Sequence, residues 1–149
     1  MAGEARQRGF TLIEMLLSVS IIAIVSALSL PLYQVFQNQN DLTVVAESTT
    51  QALRRAQVYS RGMDDDSQWS VAIQSTAVTL FKGTNFGGRD TSYDETINVP
   101  AGVTVGGLAE VQFAKMTGLP NANGNITFTS ARTGDVETVS INAKGMVQN

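Results

Sequence analysis

Between Phe10 and Tyr33 the chain reads FTLIEMLLSVSIIAIVSALSLPLY, with 17 of 24 residues apolar and Glu14 its one charge. From Met15 to Asn40, 26 residues pass without a charged side chain. A bilayer core about 30 Å thick is crossed by ~20 predominantly apolar residues in a helix, so the run is long enough. A buried core helix is the alternative, but such a helix ordinarily keeps one polar face. Here the polar residues are Thr11, Ser18, Ser20, Ser26 and Ser29, small side chains whose hydroxyls the helix's own carbonyls can satisfy. The run predicts a membrane-inserted helix, which leaves any folded domain to the remainder of the chain.

Composition narrows the chemistry. The 149 residues contain no Cys and no His, which removes disulfides, thiolate nucleophiles, zinc sites with N/S ligands and imidazole-based triads. The formal charge of −3 argues against a basic protein wrapped on nucleic acid. No catalytic, cofactor or metal site is expected.

Two kinds of N-terminal processing compete. An ordinary secretory signal puts a basic stretch before the apolar run and a small-x-small cleavage site after it. Arg6 and Arg8 supply the first, and Val25-Ser26-Ala27 supplies the second, with a mature start near Leu28. Against this, a carboxylate at Glu14 is expensive in a segment that need only insert and be removed. The apolar run also continues through Leu28, Leu30, Leu32 and Tyr33.

The other kind rests on the junction. Arg8-Gly9-Phe10-Thr11-Leu12-Ile13-Glu14 resembles the type IV prepilin signature, a short basic leader ending in Gly followed by Phe-Thr-Leu-Ile-Glu. The resemblance implies that a prepilin peptidase/methyltransferase cuts between Gly9 and Phe10 and methylates the new N-terminus at Phe10. It further implies that Pro31 is the helix-kinking proline common in that family. A glycine before the scissile bond offers no side chain to obstruct approach to the backbone. The Glu14 carboxylate needs a partner in lipid, and the new α-amine of Phe10 on a neighbouring subunit is the expected one. Such a pair fixes register between helices more than it adds stability. With Arg6 and Arg8 before the span and no further basic residue until Arg54, the positive-inside rule leaves the N-terminus cytoplasmic and the rest periplasmic. Removal of residues 1–9 takes away Glu4, Arg6 and Arg8, making the mature chain more acidic than its precursor.

Beyond Tyr33 the helical period continues. Leu42, Val45, Thr49, Ala52, Leu53, Ala56 and Tyr59 recur at three- and four-residue steps, one apolar stripe on a helix whose first stop signal is Gly62. After Gly62 the period becomes 2. Trp69, Val71 and Ile73, a tight Ser75-Thr76 connection, then Val78 and Leu80 read as a hairpin. Residues 83–94 read as a loop. Further strand candidates hold Ile97/Val99, Val103/Val105, Val111/Phe113, Ile126/Phe128 and Val139/Ile141, with turns at 118–124 and 133–135. The expected fold is α+β and pilin-like: leader 1–9, transmembrane and assembly helix 10–33, amphipathic continuation 34–62, and a periplasmic β-rich domain 63–149. In that domain one antiparallel sheet packs a face on the helix stripe.

A narrower likeness lies in the strands. Val111-Gln112-Phe113, Gly118, Asn125-Ile126-Thr127-Phe128, Val139-Ser140-Ile141 and Gly145 resemble the C-terminal half of the H-type minor pseudopilins of type II secretion, a half shared with T-type minor pilins. Some T-type members bind DNA through basic residues after the final glycine. Here Gly145-Met146-Val147-Gln148-Asn149 has no Arg and only Lys144 precedes it, which argues against DNA as a partner. Asp64-Asp65-Asp66 lacks the alternating spacing of a calcium loop and reads as a solvated turn. The glycine-rich stretch 83–88 has no Gly-Lys-Ser/Thr after it and is no phosphate cradle. Arg54, Arg55 and Arg61 read as surface charge or a subunit contact.

The expected function is therefore structural and not enzymatic. The chain reads as a minor pseudopilin of the type II secretion pseudopilus, processed by prepilin peptidase and held in the bacterial inner membrane until its helix packs into a filament. Its partners are other pilin or pseudopilin subunits, the prepilin peptidase/methyltransferase and inner-membrane lipid. A minor pilin of a true type IV pilus is the first alternative. A membrane-anchored periplasmic binding protein that never polymerises is the second.

Overall fold

The structure, a computed structural model, describes residues 9–149, with the side chains of 28–35 and 38 outside that description. It is α+β: an N-terminal helix, α1 (Leu12–Gly62), followed by eight short antiparallel strands. The chain forms two compact units, Met1–Phe36 and Gln37–Asn149. In the first, the described residues from Leu12 onward are helical. The hydroxyls of Ser18, Ser20 and Ser26 donate to the carbonyls four residues back at 2.7–2.8 Å, as their spacing in an apolar helix requires. The side chains of Ser29 and of Pro31, where a kink is expected, lie outside that description, and the leader 1–8 lies outside it altogether. Among the described residues, no helix is long and apolar enough to cross a membrane, so the expected span over 10–33 is not shown by the structure.

In the second unit the amphipathic stripe does what its period predicts. Leu42, Val45, Thr49, Ala52, Leu53 and Ala56 are buried and Tyr59 packs against them. Ala46, Thr50 and Ser60 are buried too, so the stripe is wider than the apolar residues alone mark out. Thr49 lies in an apolar row at little cost because its hydroxyl donates to Val45 O at 2.8 Å. The helix ends at Gly62, yet the left-handed residue that turns the chain is Met63 (φ 54), followed by Asp65 and Asp66 (φ 52 each). Asp tolerates this region better than most residues. Here the turn is tied down by Asp66 N–H to Met63 O (2.8 Å), Trp69 Nε1–H to Asp64 O (3.2 Å), and ion pairs from Lys82 to Asp65 and Lys115 to Asp66. The expected solvated turn is thus a braced one.

The strands are β1 (Trp69–Ile73), β2 (Ala77–Lys82), β3 (Glu95–Asn98), β4 (Val103–Gly107), β5 (Glu110–Phe113), β6 (Gly124–Ser130), β7 (Val136–Ile141) and β8 (Val147–Gln148). They form two four-stranded sheets, ordered β3-β2-β1-β5 and β4-β6-β7-β8. This corrects the expectation of a single sheet. Side-chain alternation shows that strands exist but not which edge each one joins, and the chain crosses between the sheets three times, at Pro100-Ala101-Gly102, between Gly107 and Glu110, and after Phe113. Core residues from α1 and both sheets form one cluster, including Val71, Leu80, Phe113, Ile126, Phe128 and Val139. β1 is buried at all five positions, because its second face is covered as well. Part of that cover is the segment 83–94, which is more than a loop. Phe86 meets Phe81 edge-on at 5.5 Å. Arg89 lies over the Phe86 ring at 3.6 Å, donates to Phe86 O at 2.6 Å, and pairs with Asp94 at 2.8 Å.

β8 escaped the sequence reading. Its signal is the turn Asn142-Ala143-Lys144-Gly145 between Ile141 and Val147. Asn142 Oδ1 accepts from the N–H groups of Lys144 and Met146 at 2.9 Å each, a side-chain turn of the type Asn favours. The basic residues of α1 are exposed, as expected of surface charge, and each also has a partner within the chain. Arg54 Nη2 donates to Val147 O (2.9 Å), Arg61 Nε to Thr117 O (3.1 Å), and Arg55 pairs with Glu95. They fasten the helix to both sheets. Gln57, on the same face, donates from Nε2 to Gly118 O (3.0 Å) and Lys144 O (3.4 Å).

Candidate functional site: the N-terminal processing and assembly segment

Gly9 and Phe10 precede the helix, and both are exposed. A Cβ built on Gly9 meets nothing within 4 Å, and its φ is not in the left-handed region. Among the described residues, no packing requires a glycine at this position. Phe10 is 79% exposed.

Thr11 and Glu14 form a reciprocal cap on α1. The Glu14 N–H donates to Thr11 Oγ1 at 3.3 Å, and the Thr11 N–H donates to Glu14 Oε2 at 3.5 Å. The Glu14 and Met15 N–H groups also reach Thr11 O at 3.1 and 3.2 Å. This is a capping box, Thr at the N-cap and Glu three residues on, which satisfies two of the backbone donors a helix start leaves open. The carboxylate also lies at the positive end of the helix dipole. The sequence reading gave Glu14 a partner on a neighbouring subunit and a register role, and missed its link to Thr11. The signal was present as Thr-x-x-Glu before an apolar stretch.

Past the cap, Phe10, Leu12, Ile13, Met15, Leu16, Leu17, Val19, Ile21, Ile22, Ile24 and Val25 are 54–79% exposed. Scattered exposed apolar residues are ordinary, but a contiguous apolar surface of this kind marks a membrane or protein contact. The structure thus brings Gly9, Phe10 and Glu14 to one end of an uncovered apolar helix. Among the described residues, no group of three or more Asp, Glu, His or Cys is arranged to hold a metal.

Residues 5–30 match the family model described as the prokaryotic N-terminal methylation motif. The match takes in the Gly9–Phe10 junction, the Thr11–Glu14 cap and most of the exposed apolar run, and stops before the β-rich unit. It marks the N-terminus as prepilin-type and supports a type IV pilin-like protein that is processed by prepilin peptidase and assembles with pilin subunits. No curated protein and no solved structure matches the chain.

Proposed function

We propose that this chain is a minor pseudopilin, a structural subunit of the type II secretion pseudopilus and not an enzyme. The observation that carries the reading is the uncovered apolar helix beginning with a Thr–Glu cap directly after a prepilin-type junction. Cleavage after Gly9 converts the Phe10 amide nitrogen into an α-amine one residue from the cap, and methylation follows there. The precursor is held in the inner membrane by residues 10–33, with its N-terminus cytoplasmic and its β-rich unit periplasmic. Assembly transfers the apolar helix from lipid to the helices of neighbouring subunits.

The cap gives Glu14 a role before assembly as well as within it. Its carboxylate is held at the helix end by Thr11 N–H, so it meets an incoming α-amine from a neighbour already oriented, at lower entropic cost than a free side chain. Residues 111–145 resemble H-type minor pseudopilins and T-type minor pilins alike, and what favours the secretion pseudopilus is the segment after Gly145, which lacks the basic residues through which some T-type members bind DNA. The two glycines in that likeness, Gly118 and Gly145, meet at Gln57 of α1.

The test is Glu14→Ala expressed in place of the wild-type subunit. The variant is cleaved and methylated, is missing from sheared filaments, and lowers export of the secreted substrate. Wild-type incorporation and export by Glu14→Ala would overturn the register role, and a filament-independent phenotype would favour the non-polymerising binding protein.

A further inference from the structure

Two four-stranded sheets leave four outer edges, and three are closed or blunted by the chain itself. On β5 the outward groups at Gln112 are taken, its N–H donating to Asn121 Oδ1 and its carbonyl accepting from Asn121 N–H, both at 2.9 Å. β8 is two residues long, and the carbonyl of Val147 accepts from Arg54 Nη2. β3 carries Glu95, paired with Arg55, and stops two residues short of Pro100. These are the usual devices that keep an edge from pairing with another chain.

Of these devices β4 has only one, a single outward group taken within the chain. Val103-Thr104-Val105-Gly106-Gly107 contains no charge and no proline. Its phase against β6 is fixed by Ala131 N–H to Gly102 O at 2.8 Å and Leu108 N–H to Asn125 O at 3.1 Å. In an antiparallel ladder alternate residues turn their main-chain groups to the partner, so Gly102, Thr104, Gly106 and Leu108 face β6. Val103, Val105 and Gly107 face away. Of these, the Val103 N–H is used locally, donating to Pro100 O at 2.9 Å.

We propose that the β4 edge pairs with β4 of a second copy of this chain, antiparallel and centred on Val105. In that register the two Val105 residues exchange both main-chain hydrogen bonds, and the Gly107 N–H of each copy meets the Val103 carbonyl of the other. The side chains fit the same register. Val103 comes opposite Gly107 and Thr104 opposite Gly106, so each larger side chain faces a position without one. The pairing also brings no like charges together, whereas copies of a chain with formal charge −3 repel elsewhere. Contact through β4 does not depend on α1 and stands or falls separately from filament assembly.

The chain has no cysteine, so single-cysteine variants report cleanly. Across a hydrogen-bonded antiparallel pair the Cα atoms are ~5.5 Å apart, within the span of a disulfide. In membranes holding the full chain, Val105→Cys under mild oxidation gives several-fold more disulfide-linked homodimer than Thr96→Cys on β3 or Thr138→Cys on β7. Thr104→Lys, an exposed position, abolishes most of that product by setting two ammonium groups near one another. In the otherwise unchanged chain it shifts the detergent-extracted protein from dimer toward monomer by sedimentation. Equal crosslinking from the three cysteine positions, crosslinking of Val105→Cys to a different protein in place of itself, or a dimer indifferent to Thr104→Lys would each overturn the proposal.

Discussion

Glu14 is the residue on which two physical demands meet. As a carboxylate in an apolar run it needs a partner, and as the third residue of α1 it already has one in the Thr11 N–H. A charge that caps its own helix is tolerable in the unassembled subunit and remains able to accept a second donor. The cap itself is testable. Thr11→Ala leaves the Glu14 N–H without its side-chain acceptor and costs about 1 kcal/mol of helix start. Hydrogen exchange in detergent then quickens at residues 12–15 and is unchanged in the β-rich unit. A second residue-scale expectation concerns Asp66. Its carboxyl is held below the usual range by the hydrogen bond from Lys115, and further by that ammonium's charge. A carboxyl with a depressed folded pKa contributes stability that is present above its unfolded value near 4 and lost as the pH falls through the folded one. Because the pair is exposed, its effect is small. The denaturant midpoint read by Trp69 fluorescence falls slightly as the pH drops below about 4, and falls less in Asp66→Asn.

At the scale of elements, the positions that hold α1 to the sheets are the ones least visible in sequence. Hydrophobic period identified the buried stripe from Leu42 to Ala56, because burying apolar surface acts on every residue of a helix face. It could not assign Arg54, Gln57 and Arg61, whose partners are main-chain carbonyls 56 to 93 residues away in sequence. A carbonyl has no sequence signature. The same holds for β8, too short to alternate, and for the division into two sheets, which depends on edge choice and not on pattern. Gly118 and Gly145 show the cost of disturbing this seam. Both have left-handed φ, and a Cβ would come within 2.5 Å of Arg61 Cγ at Gly118 and 2.1 Å of Gln57 Nε2 at Gly145. Gly145→Ala is expected to destabilise the chain by about 1–3 kcal/mol in denaturant unfolding followed by Trp69 fluorescence. Gly88→Ala, where nothing lies within 4 Å and φ is ordinary, falls within about 0.5 kcal/mol of wild type.

For the whole molecule, the division of labour follows from where apolar surface is covered. Residues 37–149 bury their own core across α1 and two sheets. The residues from Phe10 to Val25 bury almost none and await another surface. The N-terminal segment was the most legible part of the sequence, since a glycine, an aromatic, a carboxylate and a long uncharged run occupy fixed places before any folding takes place. What it joins in the cell is a matter of chemistry done to it, and that chemistry leaves a mass. Intact-mass spectrometry of the protein extracted from membranes tests this most directly. The expected polypeptide lacks residues 1–9 and is heavier by one methyl group, which fragmentation places on Phe10. A mature protein that begins near Leu28, or one that keeps its first nine residues in assembled material, would contradict it.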